Sequence, residues 1–178
     1  MSGSFAKTAA GVVVIASVLS CSGGGGGTVQ PGDWKLVLAH DGGSVTVPLE
    51  VMNVWLVEDE NYPESFNIEG AAVKIGGTFP AGLNVGYEEN WNALLGKTIV
   101  MGAGNGDPYE PGEAFVELSP GERSRVSGGT IIFEKFTGKV SGSEGDMTLT
   151  GRIMLVVETG GGTKNVMGTI AVHCVTWG

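Results

Sequence analysis

The chain has 178 residues and a net charge of −9, long enough for one domain and too acidic to favour a nucleic-acid backbone as partner. An apolar fraction of 42% excludes a wholly disordered chain, and 32 glycines point to many turns between short strands. With only Cys21 and Cys174 present, a disulfide framework is excluded.

Residues 1–8 carry Lys7 and the terminal amine but no acid, and Ala9–Leu19 then run apolar. A short basic region before a short apolar one reads as an export signal. As a helix, Ala9–Leu19 would span about 16 Å, well short of a hydrocarbon core of about 30 Å, so no permanent membrane span is expected there. The run ends in Val18-Leu19-Ser20-Cys21, which resembles the lipobox of bacterial lipoproteins, with valine at a position where leucine is commoner. The resemblance implies that Cys21 takes a diacylglycerol, that a dedicated peptidase cuts before it, and that the new amine is acylated. Several acyl chains then give stable anchoring, which makes the membrane the first partner. Ser22 resembles the outer-membrane sorting default of double-membrane hosts. Gly23 to Gly27 form an unbroken glycine run, the composition of a flexible spacer. The expected organisation is a signal peptide over 1–20, a lipidated cysteine and tether over 21–33, and one β domain over 34–178. The expected location is the cell envelope, at the outer membrane if the host is Gram-negative. A lipidated Cys21 leaves Cys174 without a disulfide partner, as a buried, inert thiol.

Beyond the tether, Trp34, Leu36 and Leu38 alternate up to the turn signal His40-Asp41-Gly42-Gly43, and Val45, Val47, Leu49 and Val51 alternate after it. This predicts a β-hairpin with one buried face. Pro48 lacks an N–H and places its strand at an edge. The apolar phase then shifts to Met52, Val54 and Leu56, which predicts a bulge or bend near Val51. Short strands are expected over 71–75, 83–85, 97–101 and 114–118. Glu88–Leu95 reads as a short helix that buries Trp91, Leu94 and Leu95 and stops at Gly96. The last third reads as an antiparallel meander over 130–140, 146–158 and 165–177. Met147, Leu149, Ile153, Leu155 and Val157 share one face of its middle strand, and Val166, Ile170, Val172 and Cys174 share one face of the last. The fold class is therefore all-β: an antiparallel β-sandwich or a small β-barrel with at most one short helix.

Chemistry is sparse. His40 sits in a turn, and His173 points away from its neighbour Cys174, since successive strand side chains diverge; zinc is not expected. The glycine-rich stretch 102–106 is followed by Asp107-Pro108 rather than a helix, which argues against a phosphate loop. Two acidic clusters remain, Glu58, Asp59 and Glu60 with Glu64, and Asp107, Glu110 and Glu113. Such clusters read first as a solvated rim. Calcium, which favours six to eight oxygens, is the metal they suit, although the spacing matches no EF-hand. No catalytic residue and no organic cofactor is assigned. Trp34, Trp55 and Trp91 read as core and Trp177 as the exposed tryptophan. The expected function is a non-catalytic binding or structural module with a protein or carbohydrate partner. The alternatives are a glycoside or ester hydrolase using loop carboxylates, and a barrel carrying an apolar ligand.

Overall fold

The computed structural model describes residues 34–56, 64–83, 85, 91–102, 114–141 and 144–177. The first hairpin joins β1 (Lys35–His40) to β2 (Gly43–Pro48) through Asp41 and Gly42. Leu36, Leu38 and Val47 are buried, as the alternation requires. Leu49 N donates to Trp34 O at 3.0 Å, which sets the parity of the ladder. The neighbouring Lys35–Pro48 pair is therefore a non-hydrogen-bonded one, and the proline nitrogen faces the open edge, where its missing N–H costs no bond. β2 lies at an end of the strand order, as Pro48 predicts.

The phase shift near Val51 is a change of strand rather than a bulge. Leu49 still bonds to Trp34 O, whereas Glu50 N donates to Glu69 O at 2.8 Å, so consecutive residues serve different partners. β3 (Val51–Trp55) starts there and pairs antiparallel with β4 (Ser65–Gly70) and parallel with the last strand. That parallel pair departs from the otherwise antiparallel ladder. β4 is a strand without a strand's sequence signal, because Ser65, Phe66, Asn67 and Ile68 are all buried and the two-residue alternation vanishes. β5 (Val73–Thr78) returns beside it. Leu83 and Val85 belong to no strand, which corrects the expectation over 83–85. Within the expected helix the described part is α1 (Trp91–Leu94), with Trp91 and Leu94 buried. Gly96, at φ +74, follows it and donates to Phe133 O at 2.8 Å.

After β6 (Thr98–Met101) and β7 (Phe115–Ser119) come the long strands β8 (Glu122–Ser141), β9 (Glu144–Thr159) and β10 (Gly162–Trp177). They form the expected antiparallel meander, with β8 starting eight residues before the expected Thr130. The free edge of β10 serves β1 over Met167–Ala171 and β3 over Cys174–Trp177. The free edge of β8 serves β7 near its start and β6 over Gly129–Ile132. β5 meets β6 at Gly77–Met101. The ladder β10–β3–β4–β5–β6–β8–β9–β10 thus closes on itself. Of the two expected architectures, the described residues form the barrel-like one.

The interior is packed by side chains, with Phe66, Phe133, Ile131, Met52, Leu155 and Trp91 fully buried. Phe79 bridges Phe66 and Trp91, at centroid distances of 5.2 and 6.5 Å. Two inward positions on the long strands are glycine because other strands pass close by. A Cβ on Gly151 would strike the Ile132 carbonyl, and one on Gly168 the Val37 carbonyl.

Candidate functional site: an apolar band on the outer wall

The lipidation residue Cys21 lies outside the described residues, as do the calcium candidates Glu58, Asp59, Glu60, Asp107 and Glu110, and Glu113. Glu64 is described: its Oε2 accepts a bond from Val85 N at 2.8 Å, so this carboxylate ties a distant segment to the start of β4. Among the described residues no group of three or more His, Cys, Asp and Glu side chains is placed to hold a metal ion. His40 Nδ1 accepts a bond from Gly42 N at 3.3 Å within its hairpin turn. His173 stacks on Trp34 with centroids 4.4 Å apart and planes 12° from parallel. Cys174 is buried, and burial pushes its thiol above the ordinary range, which keeps it protonated and unreactive. Trp91 is fully buried, whereas Trp34 and Trp55 are half-buried; only the strand register of Trp177 is described.

The residues that stand out belong to none of these candidates. Ile153 to Val157 is an unbroken apolar run. Ile153, Leu155 and Val157 point into the barrel and are buried, so Met154 and Val156 point outward, because strand side chains alternate. The outward face of an antiparallel strand is usually polar, so a run apolar on both faces stands out here. The run itself is the signal that the sequence holds for this surface.

Strand register extends these two residues into a band. Across the wall, Val100 on β6 pairs with Thr130 on β8, Thr130 with Met154 on β9, Met154 with Met167 on β10, and Met167 with Ala39 on β1. The next outward row runs Ile132, Arg152, Thr169, Val37. Val156 stands in the row on the other side. Val100 is 67% exposed and Met167 63%, the two exposed large apolar side chains among the described residues. With strands about 4.8 Å apart and same-face rows about 7 Å apart, the rows together, Thr130, Arg152 and Thr169 included, cover roughly 400 Å².

Charge enters the band itself at Arg152, which pairs with Glu134. Lys164, which shares the inward parity of Val166 on β10, pairs with Asp41 in the hairpin turn and holds its carboxyl below the ordinary value. Beyond the Ile132–Val37 row lies another, Lys135, Thr150, Ala171, Lys35, with both lysines exposed and neither in an ion pair among the described residues.

A groove of about 330 Å³ lies elsewhere, lined by Glu50, Glu69, Lys74, Phe115 and Arg123. The Arg123 guanidinium lies 4.0 Å from the Phe115 ring centroid and reaches Glu117 Oε1 at 3.4 Å. Arg125, beside it, reaches Glu158 at 3.6 Å. Both signs line this groove, and its Arg123 is satisfied by Glu117 and the Phe115 ring. It presents no single charge to a ligand, which leaves the apolar band as the more distinctive surface.

No protein-family model matches the chain, and neither a curated protein nor a solved structure matches it significantly.

Proposed function

We propose that this chain is a lipid-anchored bacterial envelope protein whose β domain is a non-catalytic binding or structural module. The observation that carries the second half is the apolar band. Val100 and Met167 are exposed, and an apolar character continued across neighbouring strands at this outward face favours an occupant outside the barrel. Among the described residues, three side chains that could serve nucleophilic chemistry have structural duties: Cys174 is in the core, His173 is stacked on Trp34, and His40 accepts a turn hydrogen bond. The first half rests on Val18-Leu19-Ser20-Cys21 and the glycine run after it.

The test begins with the anchor. Expressed in a bacterial host, the wild type should incorporate labelled palmitate and give a mature mass starting at an acylated Cys21, and Cys21→Ser should do neither. Release of an unlipidated chain cut elsewhere overturns the anchoring. A screen against glycoside and ester substrates should give no turnover. Turnover lost in the Glu58→Gln/Asp59→Asn/Glu60→Gln triple variant would instead make the chain a hydrolase.

A further inference from the structure

We infer that the apolar band is the face by which the domain lies on the phospholipid surface that holds its anchor, an inference that rests on the anchoring proposed above. Three observations converge on a bilayer as the occupant. The first is position. β1 runs directly on from the anchor segment and supplies, in order, Trp34, the basic margin at Lys35, and then Val37 and Ala39 of the band. Ala39 is about 17 Å along the strand from Trp34. Residues 22–33, between Cys21 and Trp34, span at most about 42 Å. The wall is therefore within reach of the membrane, and tethering raises its effective concentration there.

The second observation is charge. In a chain of net charge −9, the row beside the band carries two exposed lysines, Lys35 and Lys135, without ion-pair partners among the described residues. Arg152, within the band, is neutralised by Glu134. An apolar strip with free lysines along one margin matches acyl chains beside headgroup phosphates.

The third is size and shape. A stable protein–protein contact needs about 800 Å² from each partner, twice the roughly 400 Å² that strand spacing gives the band. A second copy would also bring another convex barrel wall. A bilayer deforms to a convex surface and needs no such complementarity, and unbranched methionines at 154 and 167 adapt to it.

The experiment uses the full lipidated chain in phosphatidylcholine vesicles, with and without phosphatidylglycerol. Cys21 is acylated and Cys174 is buried, so an environment-sensitive dye can be placed on Met167→Cys, or on Ser119→Cys as an exposed control away from the band. The dye at 167 should shift to the blue and be quenched by lipid-borne spin labels, and the dye at 119 should not. Val100→Lys should cut the quenching at 167 several-fold. Lys35→Glu with Lys135→Glu should weaken it selectively in the phosphatidylglycerol vesicles. Equal access of aqueous iodide to 167 and 119, on chains that float with the vesicles, overturns the docking and leaves the anchor standing. A chain that does not float overturns both. Burial at 167 that vanishes below one chain per vesicle assigns the band to a second copy and overturns the lipid assignment.

Discussion

Between Ile153 and Val157 the inner and outer faces of β9 carry the same kind of side chain and meet different surroundings. Inward, Ile153, Leu155 and Val157 pack against the rest of the barrel and are buried. Outward, Met154 and Val156 are half-buried by lateral neighbours, and Met167, across the ladder from Met154, is mostly exposed. The inner face is apolar because the fold needs it. The outer face is apolar without contributing comparably to the fold, and the proposed external contact would account for it. Methods that read stability and methods that read binding should therefore separate the two faces.

The largest effect is expected where the inner face has no room at all. Gly151→Val and Gly168→Val push a branched side chain into the Ile132 and Val37 carbonyls, which belong to paired strands and cannot yield locally. Each should lose about 3 kcal/mol or more in urea unfolding, at the upper end of overpacking costs. A loss below about 1 kcal/mol would mean that the strands do not approach so closely there.

Truncation should come next and compares the faces directly. Leu155→Ala leaves a cavity in the core and should cost about 3 kcal/mol. Met167→Lys, at a position 63% exposed, should stay within about 0.5 kcal/mol. Equal losses in the two variants would erase the distinction between the faces.

A smaller effect belongs to Cys174, on the inner face of β10. Burial raises its thiol above the ordinary value, so the folded chain keeps a proton that the unfolded chain releases above about pH 8.5. The unfolded state then binds fewer protons, and stability falls as pH rises through and beyond that point, with no contribution below it. The urea midpoint of wild type should drop more between pH 7.5 and pH 9.5 than that of Cys174→Ala. Identical slopes would mean that the thiol is not protected.

The smallest effect should come from the exposed ion pair between β10 and the first hairpin turn. Lys164 lowers the Asp41 carboxyl, so the pair contributes above the ordinary aspartate pKa and its contribution fades as pH falls through the lowered value. Asp41 is fully exposed, and Lys164→Met should shift the melting temperature near the limit of detection, a shift that disappears in 1 M salt. A large, salt-insensitive shift would show that this ion pair holds the hairpin in place.

Legibility followed strand length and exposure. In the long strands a one-sided alternation survives over many residues, so the periodicity of Met147 to Val157 and of Val166 to Cys174 is enough to reveal the meander and its core face. β4 left no such pattern, because Ser65 and Asn67 are buried as well as Phe66 and Ile68. The shift after Val51 was visible, but a bulge and a change of partner leave the same trace in one dimension; the bonds from Leu49 and Glu50 to different strands tell them apart. The band was half legible: the apolar run 153–157 was plain, whereas its continuation into Val100, Met167 and Ala39 depends on which strands lie side by side.

By itself the amino-acid sequence determined the all-β class, the first hairpin, the edge position of Pro48, the terminal meander and the burial of Cys174, because each follows from local periodicity or backbone chemistry. Tertiary structure alone decided that the ladder closes into a barrel, that β3 runs parallel to β10, and that residues from β1, β6, β8, β9 and β10 share one outward surface. Closure and register are set by pairings between residues far apart in the chain, and the period of a single strand carries no record of which strand lies beside it.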